Sequence, residues 1–163
     1  MRHTISILVE NKAGVVSRVS GLFSGRGYNI ESFTGAATFD PKMSVLTIVT
    51  EGDDAIIEQI NKQLNKLIDV VKVVDLTEVE HVERELMLLK VAPRKENKIE
   101  VLRTAEIFRG RILDSSHDTY TIEITGDESK IAAFIEMMRP MGIKELVRTG
   151  KVAISREIAK KTK

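Results

Sequence analysis

The sequence predicts an α+β protein made of two ferredoxin-like βαββαβ domains in tandem. Three observations carry this reading. Strand-like and helix-like stretches follow one another in the order βαββαβ, and that order occurs twice. Two short patterns recur between the halves. The 163 residues, 42% hydrophobic and 30% charged, suffice for two small packed cores.

Residues 4–10 read as a strand, with Ile5, Ile7, Leu8 and Val9 apolar and partly β-branched. Val15, Val16, Val19, Leu22 and Phe23 then recur at helical spacing. Gly25 and Gly27 stand where a helix ends. Residues 28–38 are strand-like around Ile30 and Phe33, and Asp40-Pro41-Lys42 marks a turn. Residues 44–50 form a third strand. Gly52-Asp53-Asp54 breaks it and supplies an N-cap. Ile56, Ile57, Ile60, Leu64 and Leu67 form the second helical stripe, and 70–76 the fourth strand. The polar segment 77–83 reads as a linker between domains at 1–77 and 84–163.

The second half repeats the pattern. Residues 86–91 predict a strand and 99–108 a helix. Strands at 111–116 and 119–125 flank a tight His117-Asp118 turn. A helix at 131–138 is stopped by Pro140. Residues 143–147 are a strand, and Thr149-Gly150 turns it into a last short strand at 151–155. The charged tail 156–163, with Lys160-Lys161, reads as a frayed, solvated end.

Thr47-Ile-Val-Thr-Glu-Gly-Asp53 matches Thr121-Ile-Glu-Ile-Thr-Gly-Asp127 at an offset of 74, and Phe23-Ser-Gly-Arg26 matches Phe108-Arg-Gly-Arg111 at an offset of 85. The first copy therefore carries 11 extra residues between these anchors, expected around 35–42. Each half is small enough to gain from dimerisation.

Several classes are disfavoured. A net charge of +1, with 4% aromatics and no Trp, argues against nucleic acid and against a charged membrane surface. No apolar run approaches the ~18 residues of a membrane span, and no signal-peptide core leads the chain. A cytoplasmic location is the expectation. The absence of Cys removes thiolate chemistry, and His3, His81 and His117 are scattered, so no metal is expected. Gly25-Arg26-Gly27 lacks the Lys-Ser/Thr of a phosphate loop. No carboxylate has a partner base or nucleophile nearby in sequence, so no catalytic residue is assigned.

The stretch with chemical promise is Glu10 to Val15. A helix start presents unpaired N–H groups and the positive dipole end, which suit a carboxylate. Gly14 permits close backbone approach, and the Asn11 carboxamide can meet either end of an amino acid. Asn29 begins the next strand and can accept from an ammonium. The same residues also make an ordinary capped turn.

Asn11-x-x-Gly-Val-x-Ser-Arg-Val-x-Gly-Leu-Phe-Ser-x-Arg-Gly-Tyr-Asn-Ile-Glu-Ser32 closely resembles the amino-terminal ACT domain of acetolactate synthase (acetohydroxyacid synthase) small, regulatory subunits. The likeness continues through Gly52-Asp53, Glu58-Gln59-Ile60 and Lys62-Gln63-Leu64, then Val82 to Glu85, Glu106 to Arg109, Thr125-Gly-Asp127 and Arg148-Thr-Gly150. It spans both halves. Val45 departs from it, standing where the family usually has Arg. The resemblance implies a non-catalytic chain that binds no cofactor. It would activate a large subunit carrying thiamine diphosphate, Mg and FAD, and confer feedback inhibition by valine or another branched-chain amino acid. It further implies a homodimer through ACT domains, with Asn11, Ala13, Gly14, Val15 and Val16 of one subunit facing Asn29 and Ile30 of the other. Topology alone would also admit an RNA-binding module or a small enzyme on the same scaffold.

Overall fold

A computed structural model describes residues 1–156; the expected frayed tail and Lys160-Lys161 fall outside these, apart from Arg156. The chain divides into two compact units, Met1–Val82 with Lys151–Lys163, and Glu83–Gly150.

In the first unit β1 (Arg2–Glu10), α1 (Val15–Ser24), β2 (Ile30–Ala37), β3 (Met43–Glu51), α2 (Asp54–Leu64) and β4 (Val70–Asp75) follow the expected order. The antiparallel sheet runs β2-β3-β1-β4. Strand alternation turns Ile5, Ile7 and Val9 of β1 with Leu46 and Ile48 of β3 to one face. That face meets Val15, Val19, Leu22 and Phe23 of α1 and Ile57, Ile60 and Leu64 of α2. Asp53 caps α2 as expected, its side chain accepting from the Ile56 N–H at 2.9 Å.

β1 begins earlier than its apolar pattern. His3 and Thr4 are polar yet buried, because they pair with Thr50 and Val49 of the central strand β3. The 11 extra residues do not form a long loop. The β2–β3 turn is about as short as its counterpart in the second unit; the surplus lies in longer hairpin arms and a longer link from α1 to β2.

The second unit repeats the plan with β5 (His81–Val91), α3 (Lys98–Ile107), β6 (Arg111–Ser115), β7 (Tyr120–Gly126), α4 (Glu128–Met138) and β8 (Ile143–Arg148), in the order β6-β7-β5-β8. Met87, Leu89 and Val91 of β5 pack on Val101 and Ala105 of α3 and on Ile131, Phe134 and Met138 of α4. Phe108 meets Phe134 edge-on at 5.3 Å. Asp127 caps α4 through the Lys130 N–H at 2.9 Å, so the recurring Gly-Asp does the same work in both halves. Pro140 sits in a single 3-10 turn, Arg139–Met141, that ends α4.

Further boundaries differ from the reading of the sequence: α4 starts at Glu128, three residues before the expected 131. β5 already starts at His81, which shortens the segment expected as linker. β9 (Val152–Ser155), assigned by sequence to the second domain, belongs to the compact first unit, as do His81 and Val82 at the start of β5. The Lys151 N–H donates to Ser32 Oγ at 3.2 Å, and the Arg156 N–H to the Glu80 carbonyl at 2.9 Å. Ala153 borders two small clefts over the sheet face opposite the helices, both also lined by Val45. The residue that departs from the family pattern thus lies beneath this strand.

Candidate functional site

The α1 start is built by Gly14, the N-cap residue, at φ 83°. This left-handed conformation suits glycine and strains other residues. No side chain caps the helix; the Val15 N–H turns back to the Lys12 carbonyl at 3.4 Å, and the first turn has no capping side chain to compete with a ligand. Asn11 does not cap it either. The Asn11 N–H donates to the Lys42 carbonyl at 2.7 Å, and its carboxamide nitrogen to the Pro41 carbonyl at 2.9 Å. Asn11 therefore ties the loop before α1 to the β2–β3 turn.

A groove of about 410 Å³ opens between this loop and the β2–β3 hairpin. Asn11, Lys12, Val15 and Val16 line one side, and Phe33, Gly35 and Ala37 of β2 the other. Val15 is buried, whereas Val16 is half exposed. Gly35 keeps the groove open: a Cβ there would lie 2.7 Å from Leu46 Cδ2. Ala13 is exposed beside the groove without lining it.

Two charged pairs border the site. Lys12 meets the Glu10 carboxylate, and that hydrogen bond, then the charge itself, raises the ammonium above its ordinary pKa. Arg18, one turn after Gly14, donates to Asp69 Oδ2 from Nε at 3.0 Å and Nη2 at 2.6 Å. Its Nη1 lies 3.0 Å from where a Cβ on Gly14 would stand. Sequence reading missed Arg18 and Asp69, because 51 positions separate them. The available signal was a basic residue four positions after the glycine.

Asn29 and Ile30 lie elsewhere. Asn29 is exposed, and its carbonyl accepts from Thr50 Oγ1 at 2.6 Å. Ile30 pairs with Thr50, while Ala37, at the other end of β2, pairs with Ser44 beside the groove. At ~3.3 Å per residue these ends are roughly 20 Å apart. Within one chain, then, Asn11, Val15 and Val16 gather at one groove, and Asn29 and Ile30 do not join them.

Among the described residues no helix is long and apolar enough to cross a membrane. Residues 5–72 match the family profile described as AHAS small subunit-like ACT domain, and residues 84–157 match the profile described as small subunit of acetolactate synthase. The chain is 54% identical over 159 residues to the acetolactate synthase small subunit of Aquifex aeolicus, covering 97% of this chain and 83% of that one. It is 48% identical to the acetolactate synthase isozyme 3 small subunit of Escherichia coli, covering 96% of both. The crystal structure of the acetolactate synthase small subunit from Thermotoga maritima superposes with a TM-score of 0.85 at 45% identity, covering 98% of this chain and 99% of that one. Profiles in both halves and identity along nearly the whole length agree: the chain belongs to the acetolactate synthase small-subunit family.

Proposed function

We propose that this chain is the regulatory subunit of an acetolactate synthase, not catalytic alone, which senses a branched-chain amino acid across an ACT dimer. Its partner would be the catalytic large subunit, carrying thiamine diphosphate, Mg and FAD and condensing two pyruvates or pyruvate with 2-oxobutyrate. The chain itself contributes no cofactor chemistry.

The observation that carries the sensing role is the uncapped α1 start at Gly14, followed directly by Val15 and Val16 of a groove that mixes apolar walls with Asn11 and Lys12. The helix N–H groups and dipole suit an α-carboxylate, and the Arg18 guanidinium, held by Asp69, stands beside them. Val15, Val16 and Phe33 offer apolar contact to a branched side chain.

The separation of Asn11 from Asn29 supports a site shared by two chains. β2 is an edge of its sheet, and an unpaired edge invites a second strand. Antiparallel pairing of two β2 strands about a two-fold would bring Ile30 of one chain to the level of Ala37 of the other, closing the ~20 Å gap. A ligand bridging two subunits favours one dimer arrangement, and only such differential binding shifts an equilibrium. A coupling of ~1–3 kcal/mol is the usual scale.

The test is co-purification with the catalytic subunit, then acetolactate formation with and without valine. Gly14→Asp places a carboxylate where the ligand's should sit. The expected result is a folded subunit that still activates but no longer confers valine inhibition. Inhibition unchanged by Gly14→Asp would refute the site. Calorimetry showing no binding of valine, leucine or isoleucine would refute the sensing role.

A further inference from the structure

The two units share a fold, but their helices present different outer faces. In the first unit the exposed positions of α1 and α2 include Ser17, Ser24, Glu58, Gln59 and Lys62, with Val16 at 52% exposure beside the groove, a largely polar face suited to water. In the second, α3 buries Val101, Thr104 and Ala105 inward and still carries Ile99, Leu102 and Ile107 outward, at 64%, 41% and 76% exposure. Met137 of the neighbouring α4 is 48% exposed. A helix apolar on both sides is built to be covered on both.

The spacing on α3 indicates by what. Leu102-Arg103 and Glu106-Ile107 read apolar–basic, then acidic–apolar, mirrored about the middle of the helix. Arg103 and Glu106 lie one turn apart at the centre of the outer face, yet neither side chain forms an ion pair or hydrogen bond among the described residues. When such a helix meets its own copy antiparallel about a two-fold, Arg103 of each chain stands level with Glu106 of the other. The pairing occurs twice, and the apolar residues flank it. That reciprocity is the mark of an isologous contact. We propose that the outer helical face of the second unit is a homotypic interface, packing α3 and the adjoining surface of α4 against the same face of a second copy of this chain. Two helices ~15 Å long, lying ~10 Å apart, outline a patch at the lower end of specific interfaces. This surface is distinct from the β2 edge, and the proposal does not depend on the ligand.

The test uses the full chain. R103E and E106R are purified separately, mixed, left to exchange subunits, and weighed by native mass spectrometry. Each variant sets like charges against like in its own assemblies, while the mixed pair restores both contacts. Subunits exchanging at random give the mixed form a twofold excess over each parent; the proposal expects roughly tenfold, shrinking as salt is added. The double variant R103E/E106R is expected to associate as the parent does. Folded variants that mix only statistically would overturn the proposal. So would unaltered association together with lost activation of the catalytic subunit, which would give the face to that protein. A measurement without substitution stands beside these: residues 99–107 should gain amide-exchange protection as protein concentration rises through the association range, and unchanged protection would overturn the proposal equally.

Discussion

Gly14 and Gly21, both in or at α1, should answer to alanine in opposite directions. At φ 83° the left-handed backbone of Gly14 strains any residue with a Cβ, by about 1–2 kcal/mol. Alanine recovers about 0.4–1 kcal/mol by restricting the unfolded chain. The new methyl would also press on Arg18 Nη1 at 3.0 Å. That guanidinium tip is mobile in principle, but two hydrogen bonds to Asp69 hold it. The net expectation for Gly14→Ala is a loss of about 1 kcal/mol. Gly21 is helical, and a Cβ there meets nothing within 4 Å. Gly21→Ala should stabilise by about 0.5–1 kcal/mol. Each kcal/mol moves the melting point of a domain this size by roughly 4–8 °C. Urea unfolding followed by circular dichroism, with the denaturant slope checked for constancy, reads both variants directly. Gly14→Asn, which tolerates the left-handed region, should be milder than Gly14→Ala. A Gly14→Ala variant as stable as the parent would refute the reasoning, as would a destabilising Gly21→Ala.

Other expectations concern the second unit and the ligand. Asp127 accepts from the Lys130 amide and then from Ser129, and both hold its carboxyl below the usual range. A carboxylate whose pKa is lowered by folding stabilises fully above its unfolded value, and that contribution is lost as the pH falls through the folded value. The urea midpoint of the parent should therefore approach that of Asp127→Ala as the pH drops below about 4, after leading by about 1 kcal/mol near neutrality. Glu85, with its side chain 6% exposed, receives Arg148 Nε at 2.9 Å and Nη2 at 2.5 Å. Arg148→Met would strand that carboxylate and cost about 2 kcal/mol after allowance for the half-exposed guanidinium. The double variant Glu85→Leu/Arg148→Met should recover most of this in the same urea assay. Valine at ~100 times its dissociation constant should add about 2.7 kcal/mol of stability, read as a thermal shift absent from Gly14→Asp.

Much of the fold was legible because short-range chemistry agrees with the long-range structure. The stripe Val15, Val19, Leu22, Phe23 fixed which side of α1 meets the sheet, and Gly52-Asp53 marked the start of α2; the cap at Asp127 went unread, so α4 begins at Glu128 and not at the expected 131. What stayed hidden depends on partners far along the chain. His3 and Thr4 lie inside only because β3 runs beside them. His81 belongs to a strand although its polar surroundings read as a linker. Arg18 gains its role from Asp69, and no local pattern announces that contact. The helical stripe also placed Val15 and Val16 together, but successive helix positions point ~100° apart, so Val15 is buried and Val16 faces outward. At the candidate site, sequence singled out Asn11 and Gly14 without showing that Asn11 reaches back to the turn at Pro41, or that Gly35 keeps the opposite wall clear.

The return of β9 to the first unit also sets an order in time. Residues 83–150 stand between the ACT strands and the segment that lies across their sheet, so a ribosome emits the entire second unit before it emits the cover. At ~5–20 residues per second that wait lasts several seconds, long on the scale of a small domain's folding. Throughout it, the nascent ACT sheet presents the surface around Leu8, Val45 and Val74 to whatever is nearby. A chaperone, or an already finished subunit, has its opening in that interval.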